Sequence, residues 1–224
     1  MNEKIPVEII LNIIKKTSPY NLYKICSQNK HYSEICKNNF NVIAKYYLDK
    51  YEVNYTDPGN FIYKYNNTNI NNFKNETGWN YSGLFRLYMK MFNEYRIRCN
   101  NMNITSFPIY PNMIEFYGDN NKLKTFPIQP KMEIFSGDNN QLTTFPIQPE
   151  MIFFNAVNNH LSSFPIQPKM EVFNGDKNYL RSFPIQPKME IFSGDDNQLT
   201  SFPIQPKMTT FSADNNPVIL DTIS

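Results

Sequence analysis

Apolar positions in the second half of the chain recur every 19 residues, a spacing set by the Phe-Pro dipeptides that open at Phe107, Phe126, Phe145, Phe164, Phe183 and Phe202. Such a period marks a stacked array, because one short unit has too few apolar side chains to close a core and buries them only against its neighbours. Aligned on Phe-Pro, the six copies carry a Met column (Met113, Met132, Met151, Met170, Met189, Met208) and a Phe column (Phe116, Phe135, Phe154, Phe173, Phe192, Phe211). Small residues follow (Gly118, Gly137, Ala156, Gly175, Gly194, Ala213), then Asn121, Asn140, Asn159, Asn178, Asn197 and Asn216, then Leu123, Leu142, Leu161, Leu180, Leu199 and Val218. Alternation around the second Phe predicts a short strand with Phe inward. The Asn column falls where the chain must turn, and its side chains can satisfy backbone groups of neighbouring copies. Two prolines per copy, such as Pro127 and Pro130, exclude a helix on the return side and predict an extended or polyproline segment.

The N-terminal third follows a different period. Ile9, Ile10, Ile13 and Ile14 recur at helical spacing behind Pro6, which suits a first helical turn. Ser18 and Pro19 separate this helix from a second over Asn21 to Cys26, with Leu22 and Ile25 on one side, and a third is predicted from about Tyr32 towards Leu48. Three short amphipathic helices make little core, so they call for a partner. Trp79, Leu84, Leu87, Tyr88 and Met91 have helical spacing and predict a helix that seals the first repeat. The Asn-rich stretch from Asn54 to Asn75 reads as a loop or linker. The predicted organisation is α+β: a helical domain over 1–48, a linker over 49–77, a connecting and capping helix over 78–100, and a six-copy solenoid over 101–224 with parallel strands on its concave face.

The column order Met-x-x-Phe-x-Gly-x-x-Asn-x-Leu resembles the leucine-rich repeat, L-x-x-L-x-L-x-x-N-x-L. The Phe-Pro-x-x-Pro return behind Leu-Thr-Ser is similar to the short LPX class of bacterial effector proteins, with a period one residue shorter. Ile5, Pro6, Glu8, Ile9, Ile10, Ile13 and Ile14, followed by Leu22, Ile25, Lys30 and Tyr32, resemble the F-box pattern, from which Thr17 and Asn29 depart. F-box-like helices ahead of repeats in an Asn- and Ile-rich chain look like proteins of giant DNA viruses and their amoebal hosts. The F-box resemblance implies docking to a Skp-type adaptor of a cullin-RING ubiquitin ligase through Ile5, Pro6, Glu8, Ile9, Ile10, Ile13, Leu22 and Ile25, with the repeats holding a substrate protein. The alternatives are a binding scaffold whose helices only cap the array and, more remotely, a sugar or pathogen-pattern binder.

Candidate partner contacts lie on the concave face between the core columns. They are Ile134, Phe153, Val172 and Ile191; Ser136, Asn155 and Asn174; Asp138, Val157 and Asp176; and His160 and Tyr179. In the third copy Phe153, Asn155, Val157 and His160 interrupt the acidic column with an apolar patch, rimmed by Asp138 and Asp176. The Asp column lacks the Gly-rich nonapeptide of a calcium ladder, so no metal is expected.

Composition narrows the function classes. Among 224 residues the net charge is +2, which gives no long-range field for nucleic acid or an anionic membrane. No apolar run approaches the roughly 20 residues that cross a bilayer. Cys26, Cys36 and Cys99 are an odd set and Glu8 falls where a signal peptide would be apolar, so an intracellular, cytoplasmic chain (host cytoplasm if viral) with reduced thiols is expected. Cys26, His31 and Cys36 have part of a zinc-knuckle spacing, but they lie on predicted helix and read as core. His31 and His160 are the only histidines, neither is in a nucleophile motif, and no Gly-rich phosphate loop occurs. No enzyme activity and no cofactor are expected.

Overall fold

The computed structural model describes residues 7–28, 30–53, 85, 88–89 and 92–217. Among the described residues, helices α1 (Val7–Lys16), α2 (Pro19–Cys26), α3 (Lys30–Asn38) and α4 (Phe40–Lys50) precede seven three-residue strands. These are β1 (Arg96–Arg98), β2 (Glu115–Tyr117), β3 (Ile134–Ser136), β4 (Phe153–Asn155), β5 (Val172–Asn174), β6 (Ile191–Ser193) and β7 (Thr210–Ser212). All pair in parallel, in chain order, in one sheet. Each residue faces the one 19 positions on, as Phe116 faces Phe135 and Phe135 faces Phe154. The architecture is a parallel-strand solenoid of leucine-rich repeat type behind a few helices.

The solenoid starts before the predicted residue 101. Ile97 in β1 pairs with Phe116 and is fully buried, and the Tyr95 carbonyl already accepts the Ile114 and Glu115 N–H groups of the next turn at 2.7 and 2.9 Å. The helix predicted over 78–100 therefore ends before β1. This opening turn escaped the pattern because Ile97, Cys99, Met102 and Ile104 stand where later copies have Phe, Gly, Asn and Leu. Phe85, Tyr88 and Met89 are helical; Trp79, Leu84, Leu87 and Met91, the Asn54–Asn75 stretch and Val218 lie outside the described residues.

Two phenylalanine columns fill the interior. The strand rings stack from Phe116 to Phe192 at 5.3 to 5.4 Å between centroids. The Phe-Pro rings from Phe126 to Phe202 stack at 5.8 to 6.1 Å. Rings of the two columns meet edge to face, as Phe145 and Phe154 do at 4.8 Å, the arrangement the aromatic quadrupole favours.

Polar ladders hold the turns in register. Asn140 accepts the N–H of Leu123 at 3.0 Å and donates to the Gly118 and Gly137 carbonyls at 2.9 and 3.1 Å. The bonds repeat at Asn159, Asn178 and Asn197. The residue before each ladder Asn has positive φ, from Asn120 at 56° to Asn215 at 58°, a conformation Asn tolerates better than most residues. Heavy Asn usage, attributable from sequence alone to the nucleotide composition of the source, thus has a structural use within the array.

A second ladder, absent from the sequence reading, runs along the return side. Gln129, Gln148, Gln167 and Gln186 are fully buried. Gln148 accepts the N–H of Gln129 at 2.8 Å and donates to the Pro127 carbonyl at 3.0 Å. The same pair of bonds recurs at Gln167 and Gln186. Proline lacks an N–H, and these side-chain amides supply the donors it removes.

The helices abut the first turn. Tyr110, at the Gln position of the first copy, stacks on Tyr88 at 5.1 Å, Tyr88 on Tyr51 at 5.6 Å and Tyr51 on Tyr47 at 6.5 Å. Tyr88 donates to the Ile109 carbonyl, the Ile109 N–H donates to Tyr51 O at 2.8 Å, and Tyr47 donates to Ile14 O at 2.6 Å. The third helix predicted over Tyr32 to Leu48 is two, because the chain turns at Asn39, whose amide donates to Ile35 O at 2.9 Å. The expectation of reduced thiols is also corrected. The bend between α2 and α3 brings Cys26 and Cys36 to a Cα separation of 5.8 Å, and they form a disulfide. Cys99 is free and buried, and burial pushes its thiol up to about 12.

Candidate functional site

The concave face is built from outward positions of seven in-register strands and the bends that follow them. Because side chains alternate along a strand, Phe135 or Phe154 points into the core while its neighbours lie on the opposite face of the sheet, half-buried except for the buried Ser136. Ile134, Phe153 and Val172 form a half-buried row, and Ile191 extends it at 39% exposure. Ser136, Asn155, Asn174 and Ser193 form the next row, then Asp138, Val157, Asp176 and Asp195. Of the sequence-predicted partner residues, Ile134, Phe153, Val172 and Ile191 are in register across β3 to β6, as are Ser136, Asn155 and Asn174.

The acidic column is more than a rim. Asp119 accepts the Asp138 N–H at 3.0 Å and the Ser136 hydroxyl at 3.0 Å. Asp138 accepts the Val157 N–H at 2.8 Å and the Asn155 amide at 3.1 Å. Asp176 accepts the Asp195 N–H at 2.9 Å and the Ser193 hydroxyl at 2.8 Å, and Asp195 does the same for Asp214 and Ser212 at 2.7 Å each. Asn100 serves the first turn, accepting from the Asp119 N–H at 2.9 Å. These carboxylates stitch each turn to the next, and Asp138 and Asp176 belong to that stitching as well as to the rim. Burial raises the Asp138 carboxyl above its ordinary range, against the opposing effect of its bonds from Val157 and Asn155.

Val157 interrupts this ladder. Without a carboxylate there, the Asp176 N–H has Asn174 Oδ1 of its own turn at 3.4 Å, beyond good hydrogen-bond distance. One strand away, Asn155 Oδ1 is buried with no hydrogen-bond partner among the described residues. Phe153 flanks this gap, and beyond it the exposed His160 and Tyr179 rings stack at 5.7 Å and 16°. The third-copy patch is therefore also the place where the local bonding pattern fails, and such exceptions concentrate at functional sites.

The first turns carry a different surface. Arg96 holds Glu115 through two bonds, Nε to Oε2 at 2.5 Å and Nη2 to Oε1 at 2.6 Å, and Tyr117 donates to Oε2 at 3.0 Å. Arg96 keeps the Glu115 carboxyl below its usual range. The Arg98 guanidinium lies 5.0 Å from the Tyr117 ring centroid. Spacing arguments missed this cluster because it belongs to the unrecognised opening turn.

The predicted adaptor-docking residues divide. Ile9 and Ile13 on α1 are 50% and 44% exposed, and Glu8 is exposed beside them. Leu22 is instead a core residue and Ile25 packs partly against that core, so Leu22 has no surface to dock with. The helices are too short to form a core without it. Ile5, Pro6 and the Ile10 side chain lie outside the described residues. The spacing showed no preference for an outward face, so it could not separate Ile13, exposed, from Ile14, fully buried.

No family model and no curated protein matches the chain. Among solved structures it is similar to YopM, a leucine-rich effector protein from Yersinia pestis, at 22% identity and TM-score 0.40 over 55% of this chain and 50% of that one. It is also similar to YopM from Yersinia enterocolitica WA-314, at 18% identity and TM-score 0.41 over 56% of this chain and 39% of that one. The chain thus spans half the length of these neighbours or less.

Proposed function

We propose that the chain is a non-catalytic protein-interaction scaffold that captures a partner protein on its concave face, centred on Phe153, Asn155, Val157, His160 and Tyr179. The observation that carries this reading is the coincidence at Val157 of an interrupted ladder with a half-buried aromatic and aliphatic patch. An apolar centre inside a polar rim is the usual anatomy of a protein interface. A partner presenting an aliphatic or aromatic anchor, with Lys or Arg toward Asp138 and Asp176, complements it. Phe153→Ser with Val157→Asp should abolish quantitative co-purification of partners while the array stays folded. Equal recovery by this variant would move capture to another face.

A second reading rests on the exposure of Ile9 and Ile13. In it, α1 docks a Skp-type adaptor of a cullin-RING ligase while the array holds the substrate. The Cys26–Cys36 disulfide weighs against it, since such ligases work where thiols are kept reduced. Binding of purified adaptor under reducing conditions, lost in Ile9→Asp with Ile13→Asp, would favour it; absence of binding by the parent chain would exclude it.

A further inference from the structure

On the side opposite the strands, every return segment from the second copy on places one isoleucine outward. Ile128, Ile147, Ile166, Ile185 and Ile204 are 50 to 69% exposed, one per turn, with the buried Gln ladder directly beside them in sequence. The second proline of each segment, from Pro130 to Pro206, is exposed as well. One isoleucine per turn, beside return-side rings 5.8 to 6.1 Å apart, makes this a continuous apolar stripe, not singly scattered residues.

Charge is distributed along its edges. The residue after each outer proline is Lys131, Glu150, Lys169, Lys188 or Lys207, four lysines against one glutamate, and that glutamate pairs with Lys169. Lys124 and Arg181 are exposed on the other edge. The acidic residues Glu133, Glu171 and Glu190 come two positions later, beside the strands. A net charge of +2 conceals this arrangement, because acidic side chains collect in the concave ladder.

We propose that the isoleucine stripe is a docking surface for an anionic lipid bilayer, independent of protein capture on the concave face. A ridge of half-exposed aliphatic side chains offers no groove to a peptide. A bilayer interface deforms around a ridge, admits isoleucine to the headgroup and acyl boundary, and lets flanking lysines reach phosphate and carboxylate headgroups.

The test is co-sedimentation of the full chain with vesicles of phosphatidylcholine alone and of phosphatidylcholine containing about a third phosphatidylserine. Binding to the anionic vesicles is expected, weaker binding to the neutral ones, and loss with rising salt. Ile147→Ser, Ile166→Ser and Ile185→Ser together should lower the lipid affinity about tenfold or more. Lys188→Glu with Lys207→Glu, which leaves the apolar stripe intact, should lower it comparably on anionic vesicles only. The concave variant Phe153→Ser with Val157→Asp should bind vesicles like the parent, so loss of capture and loss of lipid binding are read separately. No binding by the parent, or binding to anionic vesicles equal to the parent's by the isoleucine variant or the lysine variant, would overturn the proposal. So would a parent dimer in vesicle-free sedimentation that the isoleucine variant abolishes, which would give the stripe to a second copy.

Discussion

The array and the helical segment satisfy short elements by opposite means. In the array each backbone need is met by the same side chain one period away, Asn for the strand-side turn, Gln for the return and Asp for the bend. In the helices the bonds are singular: Tyr47 to Ile14 O, Asn39 to Ile35 O, and one disulfide between α2 and α3. Periodic bonding spreads stability evenly and makes any exception conspicuous; singular bonding concentrates it in a few residues.

The largest effect that separates the two modes is expected at Phe154, fully buried in the middle of the strand-ring stack. Phe154→Ala should cost about 3 to 5 kcal/mol in chemical denaturation, and coupling between turns should broaden the loss along the array. A loss below about 1 kcal/mol would mean that the stack does not carry the core. Next comes the disulfide: Cys26→Ser with Cys36→Ser opens a sequence separation of 10 residues and should cost the helices about 2 to 3 kcal/mol. Hydrogen exchange should show that loss in α2 and α3 while the protection of β3 to β6 is unchanged. Gln167→Ala follows, at about 1 to 3 kcal/mol, because it strands the buried Gln148 N–H and the Pro146 carbonyl. A urea midpoint equal to the parent's would show that water replaces the side chain.

Two smaller changes probe the interrupted ladder. Val157→Asp should stabilise the array by about 0.5 to 1.5 kcal/mol, by giving the Asp176 N–H an acceptor in register. A lower melting temperature would show that the break is not a bonding defect. At Asp138 burial raises the folded-state pKa, so the ionised carboxylate opposes folding above that pKa and the penalty fades as pH falls toward the unfolded value. Asp138→Asn carries no such penalty. Its stability relative to the parent should therefore be higher at pH 7 than near pH 4, and urea melts at the two pH values would reveal the reverse if another group dominates.

What was legible in the sequence follows from the same contrast. The Phe, Met, Asn and Leu columns could be read because a residue recurring at fixed period and with inward parity has one structural meaning. The Gln column recurs as strictly, but a polar residue between prolines reads as surface; its signal was the shortage of N–H donors around it. Isoleucine at position 128 and its equivalents had the converse ambiguity, apolar in type and outward in fact. The Asp column was placed on the correct face, yet its bonding to the next turn depends on bend geometry that spacing does not encode. In the helices the helical period marks an apolar face but not where the chain breaks or which residues face inward, so the break at Asn39, the burial of Leu22 and the pairing of Cys26 with Cys36 emerged only from three-dimensional packing.

The Asn and Gln side chains bond backbone of the preceding turn and the Asp side chains backbone of the following one, each ladder at its own constant offset. An interior turn therefore meets the same neighbours whatever its ordinal number, and a gene that gains or loses one in-frame unit of 57 nucleotides, three for each of 19 residues, leaves every junction chemically whole. Copy number is then free to vary by unequal recombination between near-identical units, lengthening or shortening both faces together. The turn containing Val157 is the exception: its loss would restore an unbroken acidic ladder, and its duplication would double the patch.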